Sequence, residues 1–288
     1  LSVQGLEGNP GMNITVPMIH HALQAIVYGD MLSTLLLRVR PYETVPGAAN
    51  ALYQYWNGRA ITYFNREAKF SDLARVYDME SSSKNGRTED KDSVESKSNT
   101  SWIQENTGIN RSIRTFRHLV DQTIDSFDKL PLLDIPRKPR VGMVGEILVK
   151  FQPDANNHAV DIIEKENCEA VVPGLLDFFL YCLYNPSWKH ENLGLSGLTA
   201  WLSNRGIDII EGYRKHIVKK MKATGKFQLP VHIRSMANQA ESVLSCGNSC
   251  GEGWFLTAEM IELIESGVPN IICAQPFACL PNHVTGKG

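Results

Sequence analysis

Cysteine is scarce, with six thiols at positions 168, 182, 246, 250, 273 and 279 among 288 residues. That density excludes a scaffold built on disulfides. Charge of one sign is lacking too: 29 Lys and Arg against 31 Asp and Glu leave a formal net charge of -2. Electrostatics therefore supply no reason to expect nucleic acid or an anionic membrane as a partner. No basic stretch followed by an apolar run and a small-residue cleavage site opens the chain, so nothing points to secretion. The longest apolar stretch near the start, Ala22 to Leu37, is broken by Gln24, Gly29, Asp30, Ser33 and Thr34. It reads as the core face of a helix rather than a membrane span, and the reducing cytoplasm is the expected compartment. Also missing are the lysine of a Walker A loop and the glycine spacing of a dinucleotide fingerprint, so no nucleotide site is expected in this chain.

The residues that are present suit an ordinary folded protein of one large or two ordinary domains, with 43% hydrophobic residues. Residues 5–17 hold three glycines and two prolines and read as loop. From Met18 to about Val39, apolar residues recur at steps of three and four, which predicts a helix ending near Arg40 because Pro41 follows. Gly29-Asp30 is an anomaly in its middle. Arg38, Arg40, Tyr42 and Glu43 cluster at the exit, either as a salt-bridged helix end or as a contact for a phosphate-bearing ligand. Asn50 to Phe64 reads as a further helix, weakly continued at Leu73 to Tyr77. Residues 80–100 contain a single apolar residue, Val94, and are expected to be an exposed polar insertion. Helix resumes near Ser112, with Ile113, Phe116, Leu119, Val120, Ile124 and Phe127 on one face, and the prolines of Leu130 to Pro139 read as a linker.

An α/β signature follows. Val141 to Val149 is nearly continuous in apolar character, as a strand covered on both faces would be. Asn157 is placed to cap a helix through Ala159, Val160, Ile162 and Ile163, and Glu169 to Val172 is a second strand. Strand, helix and strand in this length imply a parallel sheet. Helices are expected at Leu175 to Tyr184, Asn204 to Ala223 and Trp254 to Ser266, and a buried strand at Asn270 to Gln275. The expected fold class is α/β: a parallel-sheet, Rossmann-like domain over 136–288, preceded by a mostly helical region over 1–135. The ends, Leu1 and Gly288, suggest a fragment of a larger protein with the sheet domain incomplete at its C-terminus.

In an open parallel sheet, ligands meet the loops at the carboxyl ends of the strands. Those loops gather Asn156, Asn157, Asp177, Gln275, Cys279, Asn282 and His283. Glu146 falls inside the first apolar strand, where a carboxylate needs a partner, and either fixes the loops or meets a ligand. Cys279 lies between Pro276 and Pro281 and is a candidate metal or cluster ligand, a redox or nucleophilic thiol, or packing; Cys182 and Cys273 read first as structural. The turn Gly251-Glu252-Gly253 before a helix could offer N–H groups to an anion, although a tight structural turn is the plainer account.

Five ordered segments, Val141 to Lys150 with Asn156-Asn157, Val172 to Asn185, Gly251 to Met260 and Gln275 to Gly288, together resemble the C-terminal region of the acyl-CoA dehydratase activase-related proteins. Tyr28-Gly-Asp30 and Arg38-x-Arg-Pro-Tyr42 fit the part preceding it, so the likeness spans nearly the whole chain outside the polar insertion. The resemblance implies a region similar to the cluster-bearing subunits of 2-hydroxyacyl-CoA dehydratases and benzoyl-CoA reductases, joined to ATPase activase modules that deliver a low-potential electron. It implies an iron-sulfur cluster in the full-length protein, which need not be retained by this piece, with Cys279 as first ligand candidate and Cys182 as second. The expected partners are the remaining domains of the parent protein, a second copy in a homodimer, and a small-molecule or acyl-CoA substrate. One departure stands out: Ser249-Cys250 occupies the place of a Gln-Thr pair, so Cys250 and with it Cys246 look particular to this chain and outside the shared site.

Overall fold

The computed structural model describes residues 15–68, 113 and 115–286. Helix α1 (Val16–Val39) starts where the Thr15 hydroxyl accepts the Met18 N–H at 3.4 Å, with Pro17 in its first turn. A 3-10 turn, Arg40–Tyr42, follows it. Helix α2 (Ala48–Ala68) is begun by the Glu43 carboxylate, which accepts the N–H groups of Gly47 (2.5 Å) and Ala49 (2.7 Å). Helix α3 (Phe116–Asp128) is capped by Thr115, which accepts the His118 N–H at 3.2 Å. Most of the glycine-rich opening segment, the weak continuation at Leu73 to Tyr77 and the polar stretch 80–100 lie outside the described residues.

The second half alternates strand and helix: β1 (Arg140–Gly145), α4 (Ile147–Phe151), α5 (Ala159–Lys165), β2 (Glu169–Val171), α6 (Leu176–Leu193), α7 (Gly197–Thr224), α8 (Ile233–Ala240), α9 (Gly253–Glu265), β3 (Asn270–Ala274) and α10 (Leu280–Thr285). The sheet has the order β2-β1-β3 with both pairings parallel. The architecture is thus α/β, with a helical N-terminal segment and a small parallel sheet of three strands among the described residues. Because both pairings are parallel, the loops after all three strands fall on one edge.

Two readings, one of the first strand and one of the corner before α5, are corrected. The strand ends at Gly145, and Glu146 lies beyond it, where its carboxylate accepts the Val149 N–H at 2.9 Å and caps α4. An apolar run of this length carries no periodicity that separates strand from helix, and the cap residue decides. The corner before α5 is held by Asn156 rather than Asn157. The Asn156 amide donates to Val149 O at 2.8 Å and its carbonyl accepts the Ala159 N–H at 3.0 Å, while Asn157 turns the chain at φ +56°.

One hydrophobic cluster joins the two halves. It contains Leu35, Leu52, Trp56, Leu119 and Phe127 from α1 to α3 together with Leu180, Ile207, Trp254 and Phe255 from the second half. Each fully buried large side chain of this kind stabilises the fold by roughly 1.5–3 kcal/mol. Helix α1 has the length and hydropathy of a membrane span, yet half of that stretch is buried against the other helices.

Candidate functional site

Helix α6 begins without a cap from its own segment. Its first N–H groups, those of Leu175 and Leu176, are accepted at 2.9 and 2.8 Å by the carboxylate of Asp30, from the middle of α1. The approach requires glycine at 174, because a Cβ there would lie 2.5 Å from Asp30 Oδ2. Burial pushes the Asp30 carboxyl up to about 6, against the two N–H groups that hold it down and with Asp177 raising it further. Asp177, in the first turn of α6, lies 2.7 Å from Arg214 of α7, whose other terminal nitrogen is 3.8 Å from Glu211. Burial works against the Arg214 charge, but Asp177 and Glu211 outweigh it and the net effect is upward.

Asp30→Ala should lower stability by about 1–2 kcal/mol, as loss of a helix cap does, and quicken amide exchange at Leu175 and Leu176; urea titration and hydrogen exchange check both. The pH dependence follows from the raised value. Asp30 favours the folded chain while protonated, fully so below about 4, and that contribution disappears as pH rises through about 6. Asp30→Asn should flatten that part of the stability profile.

The same residues wall one end of a solvent-open cavity whose empty space, counted out through its mouth, is about 940 Å³. It lies between α1, the end of β2, α7 and the stretch Gln228–Val231. At its other end Glu169 is held bidentately by Arg137 (3.1 and 2.6 Å) and accepts the Tyr42 hydroxyl at 2.7 Å. Arg38 stands 3.8 Å from Glu169 and stacks over the Tyr42 ring at 4.9 Å. Arg40 turns away to pair with Glu164 at 2.8 Å. Between the ends, burial pushes the Glu262 carboxyl up to about 7, with Asp177 and Glu265 adding to it and a hydrogen bond from Gln228 opposing it.

The cysteine-bearing edge is a second locus. Tyr181, next to Cys182 on α6, donates its hydroxyl to Gly251 O at 2.9 Å. Gly251 in turn packs on Pro281, to which an added Cβ would approach within 3.1 Å. The segments bearing Cys182, Cys250 and Cys279 therefore meet. Cys279 is half-buried and precedes α10, whereas Cys182 and Cys250 are exposed. Although Cys182 is exposed, packing around its thiol desolvates it and raises its value, and nearby Glu252 adds to this. Asn282 is fully buried with neither end of its amide hydrogen-bonded within the protein, and Gln275 Oε1 is likewise unpartnered. His283 is exposed. In the turn before α9, the Trp254 N–H is taken by Asn248 O at 2.7 Å and Glu252 directs its buried carboxylate to the Ile147 N–H at 3.3 Å. Cys246 is wholly buried, donates to Ala237 O at 3.6 Å and is pushed up to about 12 by burial and by Glu241.

Asp177 thus belongs to the cavity, Glu146 and Asn156 to the α4 corner, and Gln275, Cys279 and Asn282 to the cysteine edge. Sequence reasoning missed Arg214, Glu262, Gln228, Arg137 and Glu169 as cavity residues. Asp30 had a visible signal, a charged residue beside glycine on the apolar face of a helix. No protein-family model, curated protein or solved structure matches the chain.

Proposed function

We propose that this chain is the thiol-bearing, ligand-holding component of an iron-sulfur electron-transfer or reductase/dehydratase-like system of the cytoplasm, working with an ATP-dependent activase on acyl-CoA-type or other small substrates. The observation that supports this reading most is the meeting of three resembling segments, Tyr28-Gly-Asp30, the Gly251 turn and the Cys279 loop, around α6, which itself begins in the Val172 to Asn185 segment. Its N-terminus meets Asp30 of the Tyr28-Gly-Asp30 segment, and its middle meets the Gly251 turn, which packs on Pro281 beside Cys279. The same reading takes the small sheet as part of a larger Rossmann-like one.

A closed cluster site does not fit the described residues: no group of three or more His, Cys, Asp or Glu among them is placed to hold a metal. Cys279 and Cys182 would supply at most part of a ligand set, completed by the remaining domains or by a second copy. The role left to this chain's own residues is to bind and orient a substrate and to bury it from water. The cavity beside α6 favours a second reading, a small-molecule or CoA-thioester-binding domain without its own cluster. Anaerobic purification of the full-length parent protein, with iron and acid-labile sulfide assays, separates the two. Near-stoichiometric iron that is lost in Cys279→Ser is the expected result; a colourless, iron-free full-length protein overturns the cluster reading.

A further inference from the structure

Helix α7 is apolar on two faces. With about 100° between successive residues, Ala200, Ile207, Ile210, Ile217 and Met221 fall on one side and are buried. Leu198, Trp201, Leu202 and Ile209 fall on the other, with Arg205 among them, and all four apolar side chains are more than half exposed. A surface helix ordinarily turns polar residues outward, so this second stripe is surplus to the fold. Further along the same outward face the cover is α3, where Asp121 meets His216 at 2.8 Å and Asp125 meets Lys220 at 2.6 Å. The first three turns of α7 have no such cover among the described residues.

The stripe is long and adjoins further apolar surface. Leu198 to Ile209 spans about 16 Å at 1.5 Å per residue. At the corner joining α6 to α7, Leu193 and Leu195 are also more than half exposed, and the His190 ring fixes that corner through Leu195 O at 2.6 Å. At the opposite end Tyr213 meets His20 of α1, one turn from the exposed Val16. At roughly 100 Å² for each half-exposed side chain of this size, the six from Leu193 to Ile209 present on the order of 600 Å². That is at the limit of the largest patch on an ordinary monomer, about 300–600 Å². It is also most of the about 800 Å² that each partner gives to a stable interface.

The charges decide what kind of partner fits. Lys189 and Glu191 oppose each other at the corner, and Asp208 is taken up by Arg234 at 3.0 Å. This leaves Arg205, whose guanidinium lies over the Trp201 ring at 5.8 Å. An anionic bilayer is gripped by clusters of about 4–8 Lys and Arg, which this face lacks. A second copy of the same face needs no such cluster. Leu198 and Ile209 lie equally far from the middle of the stripe, so antiparallel pairing about a two-fold axis sets Leu198 against the partner's Ile209. The same pairing lays Arg205 beside the partner's Trp201 and the partner's Leu202, where an aromatic ring accommodates a guanidinium without a counter-charge.

We infer that the outward face of the first half of α7 is an isologous interface, on which a second copy of the chain packs its own α7 antiparallel to the first. The inference is independent of the iron reading and is tested on the chain itself by sedimentation velocity from low to high micromolar concentration. The expected mass is that of two chains. Leu202→Arg sets a charge beside the partner's Arg205, and because each substitution acts twice in a symmetric interface it should raise the dimer dissociation constant at least about hundredfold. Adding Arg205→Glu should recover at least about tenfold of that loss. Leu198→Ser, a milder change, should weaken the dimer about tenfold, whereas Lys215→Glu, exposed but off the stripe, should leave it unchanged. Circular dichroism should match the wild type throughout, since every altered side chain is exposed. A chain that stays monomeric, including one that instead binds phosphatidylcholine vesicles, or a dimer indifferent to both Leu202→Arg and Leu198→Ser, would overturn the interface. A loss in Leu202→Arg that Arg205→Glu does not recover would overturn the antiparallel pairing.

Discussion

Replacing Lys150 by methionine should lower the unfolding free energy by about 3–5 kcal/mol at pH 8, the range for stranding one partner of a buried ion pair. Lys150 Nζ lies 2.7 Å from Glu259 Oε1, with the two side chains 3% and 1% exposed. The pair ties α4 to α9, and the Lys150 ammonium also lies over the Phe151 and Phe255 rings. Even with its partner, Glu259 is pushed up to about 7 by burial, which Lys150 offsets only in part. Without that partner the carboxyl escapes its cost by taking up a proton. A carboxyl whose folded value is raised favours the fold while protonated, and that contribution is lost as pH rises through the raised value. The deficit of Lys150→Met should therefore be smaller at pH 5.5 than at pH 8. Adding Glu259→Leu should restore most of the loss. Urea titration at both pH values reads these differences, and a double variant no more stable than the single one would show that the pair is not what joins the two helices.

The second large effect belongs to Gly145, the last residue of β1. Its φ is +141°, and a Cβ there would sit 1.8 Å from Ala274 O, a backbone atom of the neighbouring strand that accepts the Glu146 N–H at 3.0 Å. Gly145→Ala must move one strand or the other, and strain and overpacking together should cost at least about 3 kcal/mol. Gly142 offers the matched control. A Cβ there would meet Leu263 Cδ1 at 2.7 Å, the end of a side chain that can rotate. Gly142→Ala should therefore cost about 1–2 kcal/mol and leave the sheet intact. Thermal unfolding followed by circular dichroism distinguishes the two, and equal losses would show that the β1–β3 contact yields more readily than its geometry implies.

Much of the helical framework was legible because its apolar residues fall at steps that only a helix can bury together. The faces of α1, α3 and α7 read this way, and the structure lengthens α7 back to Gly197 because Ser196 accepts the Thr199 N–H at 3.4 Å. Helix α8 was overlooked although Ile233, Met236, Ala237 and Ala240 carry the helical spacing and are buried. The parallel sheet was legible from its nearly unbroken apolar strands, but the turn from β1 into α4 was not, since Ile147, Leu148 and Val149 suit either state. The cavity was the least legible part. Its walls come from α1, β2, α7, α9 and the chain on either side of them, and no local pattern announces that Asp30 will meet Leu176 across 146 positions. A glycine and an aspartate on an apolar helix face signal only that something polar must be met there.

The capping of α6 by Asp30 also orders events in time. A helix normally acquires its cap as soon as its own first turn closes, within the sub-microsecond scale of local chain motion. Here the first turn of α6 stays uncapped until α1 has docked, and that docking closes a loop of well over a hundred residues. The start of α6 is therefore expected to be among the last boundaries to settle as the chain folds, with the cavity beside it taking shape once the two halves have found each other.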